Sequence, residues 1–491
     1  MAVSGVINTN LGALFARNAL NNTAAGLNRA VEELSTGLKI NSPADNPAGY
    51  AIAQRFTTQL NGVNQAISNA NQAVSLVQTA TGAIQQQTNI LQKIRTIAVQ
   101  AANGSNSVTD RQALQNVVGQ LTAQVNTIAQ QTQFNGQNIL NGNFAGEQFQ
   151  VGANANQILN VSIANASAKS IGVNETGAGS TLFGGTSGST VNGLAFTGTT
   201  SGGAFTSGAV TIAGSTGTQS VTVTAATESA QSIAASINAV TENTGVSAAA
   251  KTSVAFTANF NGSSISFTLG NGTTAAQTNT VNITATNLQG LISSVNDNTA
   301  TTGIAASEDA NGNLVLTQSN GANISITGFT GVSGTSLTAV ASGGTGTAIT
   351  SGSATGLFQG LVTAQSTQGF AITSGASNIG ITSASTLQSV SSVNVGTVQG
   401  ANKAISIVDF AISALNQQGG QLGAIQNRIQ SITSNLQTAA TNLTAARSTV
   451  QDANIAQVTS QLTREQILQQ AGISTLAQAN ALQQSFLKLL P

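Results

Sequence analysis

The sequence contains no cysteine, histidine or tryptophan, and one methionine and one tyrosine. Without cysteine the chain forms no disulfide and can pass a reducing compartment uncrosslinked. Without cysteine and histidine, the usual zinc sites and the Ser-His, Cys-His and HExxH catalytic arrangements are impossible. Carboxylate chemistry stays formally open, but the acid pairs Glu32–Glu33 and Glu308–Asp309 are sequence neighbours that need not converge on a cleft. The sequence predicts no enzyme, no metal and no cofactor.

Charge is almost as scarce, since 14 basic and 14 acidic side chains give a net charge of zero over 491 residues. So little charge creates no long-range field that would draw the chain to nucleic acid or to anionic lipid. No stretch approaches the roughly 18 apolar residues of a membrane span, and the first residues lack the basic region and apolar run of a signal peptide. We expect no nucleic-acid partner, no membrane insertion and no cleaved signal peptide.

Proline is also scarce, and only Pro43, Pro47 and Pro491 occur. On either side of the proline pair, and again from about residue 398, apolar side chains recur at alternating spacings of four and three. This spacing is typical of coiled-coil helices, because it keeps one stripe facing a partner. A long helix over 51–102 cannot cover its own stripe, so we expect an antiparallel partner from 398–450. A bundle of unrelated helices is the alternative.

The extreme chain ends carry stripes of the same kind, which we interpret as assembly seams. Their members are Leu20, Leu27, Val31, Leu34, Leu38, Ile455, Val458, Leu462, Leu476 and Phe486. Two isolated helices with such stripes leave apolar surface uncovered. We therefore expect the ends to be disordered in the monomer and to fold on assembly, as in coupled folding and binding.

The segment NSPADNPAG at 41–49 separates two helical stretches. Proline and Asn-Pro disfavour helix and promote turns, and Asp45 or Asn46 can cap the helix that follows. We interpret Pro43, Asp45, Asn46 and Pro47 as a joint between two helical units. A plain loop is the alternative.

The middle of the chain, about 175–390, is rich in Gly, Ser and Thr with alternating Val, Ile and Phe. It holds a weak repeat, since SIAASINAVTENTGVSAAA (232–250) resembles LQGLISSVNDNTATTGIAASE (288–308). The repeat predicts two small α+β modules, at about 210–270 and 275–330. Two Asn-Gly pairs within 134–144 predict a small β-hairpin element after the third helix.

The fold class expected from these patterns is mainly α at the two chain ends, with long antiparallel coiled-coil helices and a small β-hairpin element. A β-rich α+β region is inserted in the middle, which gives an elongated multi-domain chain.

The two chain ends carry a series of sequence motifs, up to about residue 170 and from about residue 397. The N-terminal motifs include LSTGLKINSPADNPAGYAIAQRF (34–56), NANQAVSLVQTATGAI (69–84) and QTQFNGQNIL (131–140). The C-terminal motifs include LGAIQNRIQS (422–431), NLTAARSTVQDANIA (442–456) and REQILQQAGISTLAQANAL (464–482). In order and spacing these motifs resemble those of bacterial flagellins. The middle matches no more than the hook-type insert motif found in many flagellin variable regions.

The resemblance implies a subunit that self-assembles into the helical flagellar filament used for swimming. Residues 1–42 and 452–491 would form an inner coiled-coil domain, 43–174 and 391–450 an outer helical rod with a small β element, and 175–390 a surface-exposed region. It also implies a secreted protein, exported unfolded through the flagellar type III apparatus. Its expected partners are further copies of itself, an export chaperone, the filament cap and the junction proteins.

A second inherited role is recognition by the flagellin-sensing Toll-like receptor. The family's contact stretch matches 91–100, where Lys93 and Ile97 stand at the positions that usually matter, and Val117 stands at such a position on the next helix. Lys93 stands where Arg is usual and lacks its planar fork, Ile97 replaces Leu, and Val117 replaces an acid. The resemblance therefore predicts weakened recognition.

Two other functions stay open. A hook–filament junction protein shares weaker versions of both ends, although QILQQAGISTLAQAN (466–480) and LGAIQNRI (422–429) match flagellin itself. A flagellin whose middle modules also serve as an adhesin is the other. Imaging filaments of this one chain addresses the first, and deleting 176–390 while testing swimming and attachment separately addresses the second.

Overall fold

The computed structural model describes residues 9–176, 195–197, 208–223, 229–273, 276–309, 311–339, 348–351, 355–358, 360–374 and 382–488. Within these ranges both chain ends are helical, and the middle consists of strands with short helices. The fold class predicted from the sequence is confirmed. In the same ranges no helix combines the length and apolarity that crossing a membrane requires.

The helices divide into long ones at the two ends and short ones in the middle. The long helices are α1 (Leu11–Thr36), α2 (Pro47–Ala102), α3 (Val108–Gln131), α8 (Val398–Gln451) and α9 (Ile455–Lys488). The short helices are α4 (Ala230–Asn238), α5 (Thr241–Thr244), α6 (Leu288–Asp297) and α7 (Thr299–Thr302), with a 3-10 turn at Val390–Ser392.

Local hydrogen bonds explain where the long N-terminal helices begin and end. The side chain of Asn10 accepts from the backbone N–H of Ala13 and caps the start of α1, and Gly37 ends it with a φ of 71°. A positive φ suits glycine, which has no Cβ to clash. Ser107 and Asp110 form a capping box that starts α3.

The end of α2 is capped from outside. Arg111 on α3 is buried, and its guanidinium donates from Nε to the carbonyl of Ala101 at 2.9 Å and from Nη2 to that of Asn103 at 3.0 Å. These carbonyls lie where a helix leaves its last acceptors unpaired, and a cation there is also favoured by the helix dipole. Arg111 therefore fixes the turn between α2 and α3.

The strands before the middle region are β1 (Gln133–Phe134), β2 (Gln137–Asn138), β3 (Glu147–Gln150), β4 (Ile158–Val161) and β5 (Gly172–Glu175). Those of the middle region are β6 (Ala195–Thr197), β7 (Gly208–Ala213), β8 (Thr218–Val223), β9 (Ser247–Asn259), β10 (Ile265–Thr273), β11 (Ala276–Ala285), β12 (Ile304–Glu308), β13 (Leu314–Gln318), β14 (Ile324–Thr330), β15 (Ser336–Ala339), β16 (Ala348–Thr350), β17 (Thr355–Phe358), β18 (Leu361–Ser366), β19 (Ala371–Ser374), β20 (Thr382–Ala384) and β21 (Thr386–Ser389).

All strand pairs in the described residues are antiparallel. Two of the sheets are small hairpins, β1 with β2 and β3 with β4. The turn of the first hairpin contains Asn135 and Gly136, both at positive φ as a tight hairpin turn requires. The larger sheets have the orders β20-β19-β7-β8, β11-β10-β14-β17-β6 and β12-β13-β9-β18-β5-β21, and β15 joins the last through β9 and carries β16.

The chain divides into two compact units. The first contains 1–79, 145–162 and 422–491, and the second contains 80–144 and 163–421. In the first unit the covered positions on α2 are largely small, as at Ala66, Ala70 and Ala73. Asn69 on α2 donates to the carbonyl of Gln150 at 3.0 Å and so holds the small β3–β4 hairpin against the helix.

In the second unit, buried amides connect the helical part. Gln87 on α2 is fully buried, and its Nε2 donates to the carbonyls of Val125 and Ala166, each at 3.0 Å. Gln418 on α8 donates to the carbonyl of Ala164 at 3.0 Å. Hydrogen bonds to buried carbonyls are required in such places, because an unpaired buried polar group costs about 1–3 kcal/mol.

Two ion pairs attach α8 within this second unit. Arg95 on α2 lies 2.5 Å from the Asp409 carboxylate, with both side chains half exposed. Lys403 lies 2.7 Å from Glu175, whose side chain is almost fully buried at the end of β5. The second pair joins α8 to the strand that leads into the middle region.

Candidate assembly surface of the terminal helices

The terminal helices α1 and α9 lie side by side and run in opposite directions. Near the start of α1, the Asn10 side-chain amide donates to the carbonyl of Ala479, late in α9, at 3.0 Å. Further along α1, Gly26 lies beside the carboxylate of Glu465, earlier in α9. A bulkier residue at Gly26 would press on that carboxylate, since its Cβ would lie 3.1 Å from Cδ.

Most of the predicted seam residues are at least partly covered within the single chain. Leu20, Leu27, Leu34, Leu38, Leu462 and Leu476 are half-buried, Val458 is buried, and Val31 and Ile455 are exposed. Phe486 lies in α9, and its side chain falls outside the described residues. Since α1 packs on α9, the covered members serve the pairing of the two helices in one copy; their role in assembly stays a prediction.

A different set of apolar side chains on the same two helices stays exposed. We call it the terminal apolar set, and its members are Leu11, Leu14, Phe15, Ile467, Leu468, Ile473 and Leu482. Phe15 is the most exposed, at 72%. The sequence analysis missed this set because it followed one stripe per helix. The signal was present, since Leu11, Leu14 and Phe15 have the i, i+3, i+4 spacing of a helix face.

The breaks between helices at the two ends are hydrogen-bonded to each other. Leu38 and Asp452 form an isolated antiparallel β-bridge. Beside it, the N–H of Lys39 donates to the carbonyl of Gln451 at 2.7 Å, and the N–H of Ala453 donates to that of Gly37 at 2.9 Å. The end of α1 and the α8–α9 break are therefore tied through the backbone, independently of side-chain identity.

The predicted joint residues come directly after these hydrogen-bonded residues in the sequence. Asp45 Oδ2 accepts from the N–H of Ser42 at 2.8 Å, from the N–H of Asn41 at 3.1 Å and from the Ser42 hydroxyl at 3.1 Å. Asn46 accepts from the N–H of Gly49 at 2.9 Å. Pro47 is the first residue of α2, a position that needs no N–H donor.

Pro43 lies in the turn that the Asp45 carboxylate closes, and its side chain is exposed, as are those of Asp45, Asn46 and Pro47. The structure therefore gives a turn followed by a capped helix start. Whether this segment sets the relation between two helical units stays a prediction.

The joint should loosen in acid. Backbone hydrogen bonds from Ser42 and Asn41 hold the pKa of Asp45 below its usual value. A carboxyl whose folded pKa is depressed stabilises the fold above its unfolded pKa, near 3.9, and this stabilisation is lost as pH falls through the lower folded value. We expect amide exchange at Asn41 and Ser42, corrected for its intrinsic pH dependence, to rise below about pH 4. Asp45→Asn should remove this extra rise, and an unchanged pH profile in that variant would contradict the assignment.

Comparison with known proteins shows which protein family these terminal helices belong to. A family model described as the bacterial flagellin N-terminal helical region matches 7–145, and one described as the C-terminal helical region matches 405–490. The chain is 39% identical to B-type flagellin of Pseudomonas aeruginosa over 99% of both chains. The chain belongs to the bacterial flagellin family. As a flagellin, it is a structural subunit of a self-assembling flagellar filament.

Other flagellins match along their full length as well. Flagellin B of Vibrio anguillarum is 30% identical over 99% of both chains. Among solved structures, that of FliC from Burkholderia pseudomallei is similar with a TM-score of 0.30 and 23% identity, covering 72% of this chain and 99% of that one. The family assignment rests on the sequence relatives.

The three candidate receptor-contact residues of this flagellin lie in its second unit. Lys93 and Val117 are exposed, on α2 and α3, and Ile97 is half-buried on α2. Val117 exposes 45% of its surface, although an apolar side chain gains nothing from water there. Lys93 and Val117 are available to a partner, and Ile97 is partly so.

Proposed function

We propose that this flagellin polymerises into a filament through its terminal helices α1 and α9. The observation that carries the proposal is the terminal apolar set, which the pairing of α1 with α9 leaves exposed in a single copy. Burying one such side chain fully stabilises an assembly by about 1.5–3 kcal/mol. Single exposed apolar side chains are normal on a protein surface, whereas seven on one helix pair indicate a surface that binds a partner.

The arrangement supports the division of roles expected along the chain. Residues 1–42 and 452–491 form the inner part of the subunit, 43–174 and 391–450 the outer rod, and 175–390 the outward-facing region. The helix breaks agree with this division, since α1 ends at Thr36, α2 begins at Pro47, and α8 and α9 meet between Gln451 and Ile455. The hydrogen-bonded tie lies where the inner and outer parts would meet.

Family membership supports the following route to the filament. The chain leaves the cell unfolded through the flagellar type III apparatus, with the help of an export chaperone. It is then added beneath the filament cap, after the junction proteins. It is secreted, and its place of work is the extracellular filament. The absence of cysteine supports this route, because no disulfide has to be broken for threading. It has no catalytic role and needs no cofactor.

Hydrogen exchange on monomer and filament tests the proposal. We expect amides of α1 and α9 to exchange fast in the monomer and to become protected in the filament, because neighbouring copies then cover the terminal apolar set. Amides of α2, α3 and α8 at buried positions serve as the internal control, and should be protected in both states. Terminal helices that gain no protection in the filament would contradict the proposal. Terminal helices already protected in the monomer would contradict the expected disorder of the chain ends.

We also propose that the Toll-like receptor for flagellin recognises this chain only weakly. Lys93 presents a point charge in place of the planar fork of arginine. Val117 offers no acceptor to a donor on the receptor, which leaves that donor without its hydrogen bond on binding.

The receptor proposal is tested by restoring the usual chemistry. Lys93→Arg together with Val117→Asp should raise the response of a receptor reporter by about tenfold or more, because each regained charge-assisted bond contributes about 1.5–3 kcal/mol. Val332→Asp, a change of the same kind at an exposed position of the middle region, is the matched control. A parent chain as potent as a typical flagellin would refute the idea.

A further inference from the structure

The middle region contains two copies of one structural unit, which share individual hydrogen bonds. The first copy contains the helices α4 and α5, and the second contains α6 and α7. In the first copy, the side chain of Asn238 on α4 donates to the carbonyl of Ala248 at 3.0 Å and accepts from its N–H at 2.7 Å. In the second, Asn296 on α6 donates to the carbonyl of Ala306 at 2.9 Å and accepts from its N–H at 2.7 Å. Both asparagines tie their helix to the strand that follows.

The short second helix repeats as well. Thr241 on α5 donates to the carbonyl of Val246, and Thr299 on α7 donates to that of Ile304, both at 2.9 Å. Each of these helices ends in a left-handed glycine with nearly the same φ, 71° and 70°. Sequence similarity between 232–250 and 288–308 thus reflects the same local structure.

Strand pairing extends the equivalence beyond the sequence repeat. In the first copy the hairpin β7–β8 is joined by β19, and in the second the hairpin β10–β11 is joined by β14, in both cases on the first strand of the hairpin. The strand after the helices pairs with β18 in the first copy and with β13 in the second. The cross-strand pair Ala250–Val362 therefore corresponds to Glu308–Leu314.

The copies differ in what connects those two strands. In the second copy Glu308 and Leu314 are joined by a short turn, in which the Asp309 carboxylate accepts from the N–H groups of Asn311 and Asn313, each at 2.8 Å. In the first copy the corresponding connection is 251–361, which contains the entire second copy.

The hydrophobic cores separate along the same line. The first core consists of Val210, Ile212, Val221, Val223, Ala230, Ile233, Ala234, Ile237, Val246, Val362, Ala364, Phe370 and Ile372, and none of these lies within 251–361. The second core, which runs from Val254 to Phe358, lies wholly inside that range. Each copy is therefore complete in its buried apolar side chains without the other.

We infer that 251–361 is a guest domain nested in a strand hairpin of the first copy, and that the turn after Glu308 is the same acceptor site, still open, in the second. The guest it fits is a folded domain whose two ends lie side by side. Paired antiparallel residues have Cα atoms about 4.5–5.5 Å apart, so such a guest continues both strands without changing their register. Asn311 and Gly312 are exposed, which is where inserted domains are tolerated.

Excising the guest tests the first half of this inference in the full chain. Ala250 is joined to Val362 through the five residues 309–313, the natural connection of the equivalent pair. We expect amide protection in β7, α4 and β18 to stay within about tenfold of the parent. The short strand β6 pairs with β17 and loses its partner in this variant, so it is left out of the measurement.

A one-residue shift is the matched control. Joining Ala249 to Val362 through the same five residues places each side chain of one strand opposite the wrong face of the other. This variant should lose protection in β7, α4 and β18 by far more than the first. Equal protection in both variants, or loss in both, would overturn the nesting.

Insertion tests the open acceptor independently of excision. A small single-domain protein with adjacent ends is placed between Asn311 and Gly312, and in a second variant between Asn320 and Gly321. The second position is closed, because the Gly321 Cβ position lies 2.3 Å from the Ala250 Cβ and Ala322 accepts a hydrogen bond from Thr252. Only the first insertion should keep the parent's unfolding midpoint. A midpoint lowered as much by the first insertion as by the second would refute the acceptor site.

Discussion

A flagellin carrying Phe15→Asp and Ile473→Asp should remain a folded monomer that forms no filament. These two side chains are 72% and 55% exposed in the single chain, so the substitutions remove little packing within the subunit. If α1 and α9 are buried between copies, each subunit would instead bury two unpaired carboxylates. Burying an ionised group without a partner costs several kcal/mol, in addition to about 1.5–3 kcal/mol for each lost apolar side chain. Polymerisation should be abolished at any practical concentration.

Sedimentation and electron microscopy measure this directly, and circular dichroism of the monomer reports the helices. Val332→Asp is the matched control, since Val332 is 49% exposed and lies between β14 and β15 in the middle region. It should assemble as the parent does. Filaments formed by the double variant, or an equal loss in the control, would show that the terminal apolar set is not an assembly surface.

The terminal helices were predictable because their signals are local. Four-three spacing and the absence of proline over the long stretches predict helices, and Pro47 marks where α2 begins. The α8–α9 break has a weaker local signal, since residues 451–454 contain neither proline nor glycine and offer only Asp452 and Asn454 as candidate helix caps. Its position came from the family resemblance. In the structure, Asn454 caps α9 by accepting from the N–H of Gln457 at 3.3 Å.

The exposed apolar side chains of the terminal helices were predicted less completely than the helices themselves. A helical stripe indicates that a side chain needs cover, but it does not say whether the partner lies in the same chain or in another copy. Leu27 and Leu34 meet that need at least partly within the chain, whereas Leu14 and Phe15 do not. Only the packing of α1 on α9 separates the two groups.

In the middle region the sequence repeat located the short helices and the strand after each, and no more. The strands that complete the first core, β18 and β19, follow the second copy in the chain. Pairing over such a separation leaves no periodic signal near either strand. Only the register of the paired strands shows that one copy is nested in the other, as in the pair Ala250–Val362.

Phe256→Ala should unfold the second core at much lower denaturant and leave filament formation intact. Phe256 is fully buried, and its ring meets that of Phe358 edge to face with centroids 5.0 Å apart. Truncating a buried phenylalanine removes its transfer free energy and leaves a cavity, at a cost of about 3–5 kcal/mol. The edge-to-face pair adds about 0.5–1.5 kcal/mol that alanine cannot replace.

The consequence for function follows from where this residue lies. Phe256 belongs to the second core, whose members all fall between Val254 and Phe358, whereas the terminal apolar set lies on α1 and α9. Urea unfolding monitored by amide exchange should therefore show an early transition in the elements that form the second core, among them β10, β13 and β14. Phe260→Ala, which truncates the same side chain at a partly buried position beside this core, should cost clearly less. A Phe256→Ala chain that cannot polymerise under conditions where its terminal helices are intact would mean that the middle region takes part in assembly, and that covering α1 and α9 is not sufficient to build the filament.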